Sequence, residues 1–143
     1  QGKMAVANVT KNRLESEEFP NTWCSVVKQG PVRESWKTKK DNTLPKDQRK
    51  YFPIKHRCQF SWWCDGEKDT IWIQDMNGTP IESNKTAWRD SINVALLTMT
   101  GHMTDNTKGS TYYYNHNLVY PNWAKKFDLV GVIGNHTFMK EEK

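Results

Sequence analysis

Ile54-Lys55-His56-Arg57-Cys58-Gln59-Phe60-Ser61-Trp62-Trp63-Cys64, then Asp65-Gly66, then Thr70-Ile71-Trp72-Ile73-Gln74, is the stretch on which the reading of the fold turns. Alternation places Cys58, Phe60 and Trp62 on one face of a strand and Gln59, Ser61 and Trp63 on the other. Asp65-Gly66 is a turn signal, and the β-branched and aromatic run after it reads as the returning strand. The expectation is a hairpin, with a second turn at Asn77-Gly78 ending its second strand.

That reading governs the cysteines. In an extended strand Cys58 and Cys64 lie about 20 Å apart, at roughly 3.3 Å per residue. A disulfide needs Cα atoms about 4.4–6.8 Å apart, so the two are not expected to pair. Cys24 is then expected to bridge to Cys58 or to Cys64, leaving one thiol.

Outward from the hairpin, Trp23–Lys28 reads as a short strand ended by Gln29-Gly30-Pro31. Tyr112, Tyr113 and Tyr114 open a strongly strand-like run broken by Pro121. Phe127–Lys140 reads as a last strand, with Gly131 and Gly134 as bulge or bend positions. Between them, Trp88, Ile92, Ala95, Leu96 and Met99 fall on one face of a helix, with Gly101 past its end. The fold class expected is mainly β: a small antiparallel barrel or sandwich of five to six strands with one helix near 86–99. Residues 1–20, polar and charged, read as an N-terminal arm, and 21–143 as a single globular domain.

Composition supports a compact chain with an aromatic core. Only 36% of its 143 residues are hydrophobic, but seven Trp, five Tyr and five Phe are among them. Each aromatic buries about 150–250 Å², so a few replace many aliphatics. The net charge of +5 is concentrated between Arg33 and Lys50, where seven basic residues face three acidic ones. Lys37, Lys39, Lys40, Lys46, Arg49 and Lys50 could attract a polyanionic glycan such as heparan; the plainer reading is a solvated loop.

No apolar run approaches the roughly 20 residues of a membrane helix. With Gln1 read as a mature N-terminus, the expectation is a soluble chain without membrane insertion. Four Asn-x-Thr sequons begin at Asn8, Asn77, Asn84 and Asn135. With the cysteines they point to the secretory route, so the localisation expected is secreted, extracellular or lumenal.

The chemistry-bearing motifs are sparse. His56, His102, His116 and His136 stand apart in sequence, and neither a metal nor a cofactor is expected. Glu67, Asp69, Asp75, Glu82 and Asp90 could converge as glycosidase carboxylates, and His102 with His116 as a ribonuclease pair, but no spacing singles them out. The expectation is therefore not an enzyme. Strand alternation forces Trp62 and Trp63, and Tyr113 and its neighbours, onto opposite faces, leaving aromatics outside the core. Trp62, Trp63, Trp72, Trp88, Tyr112, Tyr113, Tyr114 and Trp123 form the candidate binding set.

The leading functional expectation is a secreted, N-glycosylated domain that recognises a host or cell-surface protein through these aromatics. The alternatives are a barrel carrying a small apolar ligand, and glycan or heparin binding through 33–50. For the barrel, Val132–Lys140 (VIGNHTFMK) looks like the last strand of avidin-type biotin binders. The resemblance covers about nine residues; the family's Gly-x-Trp-x-Asn opening is missing, and Ala95 stands where a pocket Trp belongs, so it does not imply membership.

Overall fold

Gly2–Glu15, expected within a loose arm, forms helix α1 in the computed structural model, which describes residues 1–141. Ala5, Val9 and Arg13 recur at i, i+4 and i+8, and all three are buried. Asn8 and Thr10 lie among them and are buried too, so a helix that looks polar by composition has little solvated side.

The chain divides into two compact units: residues 1–23 with the chain from Ile71 onward, and residues 24–70. In the first unit α1 packs against helix α4 (Glu82–Met99) and a three-stranded sheet. Strands β3 (Tyr112–Asn115), β4 (Phe127–Ile133) and β5 (His136–Glu141) are antiparallel in the order β3-β5-β4. Ala5 and Val9 of α1 meet Phe138 at the centre of the core, with Tyr113 and Ile133 packed around them.

Local sequence explains the boundaries. Helix α4 stops in a Schellman arrangement: His102 N–H donates to Leu97 O, Gly101 N–H donates to Thr98 O, and Gly101 has φ +75°. The run 127–140 is two strands rather than one. Gly134-Asn135 is a two-residue loop with positive φ at Gly134 only, the pattern of a type II′ turn. The register slips between Leu129 and Gly131, a bulge in β4.

The second unit holds a short antiparallel pair, β1 (Val32–Glu34) with β2 (Tyr51–Pro53), and helices α2 (Trp23–Val27, entered from the first unit) and α3 (Trp36–Lys39). Ser35 caps α3, accepting from Lys37 N–H.

The expected 54–74 hairpin is absent, and its two halves fall in different units. Ser61–Cys64 is a 3-10 turn, and His56 N–H donates to Cys64 O. This curl brings Cys58 and Cys64 to a Cα separation of 6.0 Å, and they form the disulfide. Cys24 is the free, exposed cysteine, so the expected Cys24 bridge is overturned along with the strand that implied it. Residues 71–80 instead fold back around Asp75, whose Oδ1 accepts from Asn77 N–H and Thr79 N–H, and Ile81 N–H donates to Ile73 O.

The architecture is mixed α/β with open sheets, not a mainly-β barrel or sandwich. An open three-stranded sheet encloses no interior, which removes the barrel-carrier reading. Among the described residues, no helix is long and apolar enough to cross a membrane.

Candidate functional site

Strand β3 divides its three tyrosines between two faces. Tyr113 points to α1 and stacks on Phe138 at 5.9 Å between ring centroids. Tyr112 and Tyr114 point the other way, joined on that face by Met139, Thr137, Leu129 and Val132 through the strand register. This second face is open along β4, where Leu129 is 65% exposed and Val132 58%, while Thr137 and Met139 of the central strand are buried on it.

The connection from β3 to β4 folds back over its edge and adds two rings. After Pro121 the 3-10 turn Asn122–Lys126 brings Trp123 to 5.5 Å from Tyr112 and 5.7 Å from Tyr114. Phe127, the first residue of β4, lies 4.4 Å from Tyr112 and 5.6 Å from Trp123. Tyr120 meets Tyr114 edge-on at 5.9 Å. The result is a continuous ring surface, partly open to water, with polar groups at its margin: Tyr112 OH donates to Glu141 Oε1 at 3.0 Å.

Helix α1 fixes the start of that strand. Arg13 is buried, its Nε–H donates to Thr111 O, and its guanidinium lies 4.9 Å from the Phe19 ring and 5.1 Å from that of Tyr112. Burial lowers its pKa to about 10, with Tyr112 and Tyr113 opposing, so it stays a cation at neutral pH. Burial also raises both tyrosines; the hydrogen bond to Glu141 adds to the rise at Tyr112, while Arg13 opposes both.

The residue before Arg13, Asn12, donates from Nδ2 to Asp105 Oδ2 at 3.1 Å and to Ser110 O at 3.0 Å, and about one turn further back Asn8 Nδ2 donates to Thr104 O at 3.1 Å. Asp105 accepts from Thr107 N–H at 2.7 Å, Thr107 Oγ1–H at 2.6 Å and Gly109 N–H at 2.6 Å. Burial alone would raise this carboxyl, but these bonds outweigh it and its pKa is lowered. Asp105 is thus a fixed anion that holds the loop feeding β3.

Of the eight aromatics predicted from sequence, the structure brings three together: Tyr112, Tyr114 and Trp123. Tyr113 belongs to the core side. Trp72 lies in the exposed loop before α4, and Trp88 is an exposed residue of α4. Trp62 and Trp63 lie in the other unit, edge-to-face at 6.4 Å, with Lys28 Nζ 4.9 Å from the Trp63 ring. Sequence reasoning missed Arg13, Phe19, Tyr120, Phe127 and Glu141. The available signal was Asn8, Asn12 and Arg13 at i, i+4 and i+5, a polar stripe on a helix that also repeats Ala5 and Val9.

The sequons separate as well. Asn8 is fully buried, so it cannot take a glycan in this fold; Asn77, Asn84 and Asn135 are exposed, with Asn84 Nδ2 donating to Trp72 O. Among the described residues no cluster of three or more His, Cys, Asp or Glu could hold a metal ion.

Comparison with known proteins decides the class. The sequence profile of the family described as Cell Wall Hydrolase matches residues 1–139. The chain belongs to that family. A cell wall hydrolase is an enzyme, so the expectations of a non-enzymatic, protein-recognising domain and of a small-ligand carrier are both overturned. The solved structures agree on the fold. The catalytic domain of the germination-specific lytic transglycosylase SleB from Bacillus anthracis matches with TM-score 0.53 and 24% identity, over 97% of this chain and 78% of that one. The catalytic domain of the Bacillus cereus SleB protein matches with TM-score 0.51 and 24% identity, over 97% and 74%. No curated protein matches the chain. For this hydrolase the place of action is the cell wall.

Proposed function

We propose that this cell wall hydrolase cuts the glycan strands of peptidoglycan outside the membrane, and that the open face of the β3-β5-β4 sheet holds the sugars. The observation that carries the reading is the half-buried ring surface of Tyr112, Tyr114, Trp123 and Phe127 on a sheet face open along β4. Aromatic faces are apolar and electron-rich, and they suit the C–H faces of pyranose rings, while Tyr OH and Trp N–H remain for hydroxyl and N-acetyl groups. The similar Bacillus anthracis protein is a lytic transglycosylase, which supports the same substrate class.

Glycosidic cleavage needs a carboxyl that carries a proton at working pH, hence one with a raised pKa. Asp105 and Asp41 both move down, Asp41 through its hydrogen bonds with Thr43. Neither is a proton donor. Asp105 acts by positioning β3, and the ring surface acts by binding; proton transfer is assigned to neither.

The test is digestion of purified sacculi, followed by turbidity and by mass spectrometry of the released fragments. New sugar ends are expected, with or without one added water per cut according to whether water or the sugar's own hydroxyl completes the reaction. Release of peptide amino groups without new sugar ends would overturn the reading. Trp123→Ala is expected to raise KM about 5- to 10-fold, the equivalent of about 1 kcal/mol of stacking, with a smaller effect on kcat.

A further inference from the structure

The second unit carries a feature that the ring surface does not use. Arg33 and Phe52 sit directly opposite each other on β1 and β2 and so share a face. Together with Trp36, Lys37, Thr38 and Lys50 they line a groove of about 590 Å³. Two large aromatics there stand in water: Trp36 is 63% exposed and Phe52 52%.

The groove is built rather than loose. Arg49 spans the loop behind it, donating from Nη1 to Glu34 Oε1 at 2.7 Å, from Nε to Leu44 O at 3.0 Å and from Nη2 to Asp41 O at 3.2 Å. Thr38 is buried, and its Oγ1 accepts from Lys50 N–H, tying α3 to the start of β2. Lys37 and Lys40 lean on Trp36, their Nζ atoms 5.8 and 4.9 Å from the ring.

Charge identifies what fits. Of the seven cations between Arg33 and Lys50, Arg49 is the one in an ion pair among the described residues. Glu34, the carboxylate lining the groove, is neutralised by that pair, which leaves Arg33, Lys37 and Lys50 as uncompensated positive charge beside two exposed rings. Exposed rings flanked by exposed cations match a chain of sugars that carries carboxylates.

We propose that this groove is an auxiliary holding site of the enzyme for the carboxylate-bearing glycan of the wall, separate from the ring surface where sugars meet the sheet. The proposal rests on the peptidoglycan reading above. It adds a charge-dependent grip on polymer that a short fragment does not need.

The experiment measures co-sedimentation of the protein with purified sacculi at 4 °C over rising NaCl, before and after chemical removal of wall phosphate polymers. Wild type should bind both preparations and lose binding as salt rises. Trp36→Ala and the Lys37→Glu/Lys50→Glu pair should bind at least tenfold more weakly, while their turnover of short soluble glycan fragments stays at the wild-type rate. The charge-keeping Lys37→Arg/Lys50→Arg pair should bind like wild type, which separates loss of charge from loss of folding. Wild-type-like binding by the glutamate pair, or weak binding by the arginine pair, would overturn the proposal. Loss of wild-type binding once phosphate is removed would overturn the carboxylate assignment. Failure of wild type to cut glycan at all would instead sink the peptidoglycan reading, and it is scored in a separate assay.

Discussion

Tyr113 of β3 packs on Phe138 above the Ala5–Val9 stripe of α1, whereas Phe52 of β2 keeps half its surface in water. Both are aromatics on short antiparallel strands, and the contrast reaches to how each sheet is held. The three-stranded sheet rests on a buried apolar core and a network of amide and carboxylate bonds from α1. The two-stranded sheet has exposed Val32, Tyr51 and Phe52, and local ties around it: the Arg49 clamp and the Cys58–Cys64 bridge. A small unit that cannot bury enough surface relies on such ties, as small domains generally do.

The comparison can be broken first at Phe138. Phe138→Ala should cost about 3–5 kcal/mol, the range for emptying a buried aromatic site, read as a lower midpoint in urea. A loss below about 1 kcal/mol would mean that burial is not what holds the three-stranded sheet. The next effect belongs to the other unit. Replacing Cys58 and Cys64 by serine should cost about 2 kcal/mol by the chain-entropy account of a short loop. Hydrogen exchange should then rise across 51–64 and stay unchanged in β3, β4 and β5. Equal acceleration in both regions would erase the distinction.

The smallest effect sharpens the polar half of the first unit. Asp105→Asn should cost about 1 kcal/mol near neutral pH, through lost charge assistance to Thr107 and Gly109. The folded pKa of Asp105 lies below its unfolded value, so its contribution is complete above the unfolded pKa of about 4 and fades as pH falls through the folded one. Urea midpoints of wild type and variant should therefore converge below about pH 4. A difference that persists unchanged at pH 2 would show that geometry, not charge, explains the loss.

How much of this was legible depended on whether a signal was local. The Asn77-Gly78 turn, the 86–99 periodicity with its Gly101 stop and the strand character of Tyr112–Tyr114 all lie within a few residues of the structure they specify. The 54–74 hairpin failed because alternation in a short aromatic run does not distinguish a strand from a curl closed by a disulfide. Once Cys58 was placed on a strand, the cysteine pairing failed with it. Helix α1 is not legible because Asn8 and Arg13 read as solvent-facing, while their partners, Thr104 O and Thr111 O, lie almost a hundred residues away. For the candidate ring surface, Tyr112, Tyr114 and Trp123 are visible as aromatics in the sequence, but only the register of β3 on β5 shows which of the tyrosines share a face. Family membership carries the enzymatic class, which no spacing of carboxylates or histidines in this chain displays.

Gly30 lies against the disulfide turn, where a Cβ would come within 2.9 Å of the Cys58 Cα. The nearest obstruction is main chain, with the Cys58 Sγ next at 3.2 Å, so exchanging both cysteines for serine would still leave no room for a side chain at position 30. The two features are therefore coupled in one direction during sequence drift. A lineage can lose the bridge and keep the glycine at modest cost, but any residue that replaces the glycine must first move the backbone on which the bridge is built. The glycine is expected to outlast the disulfide.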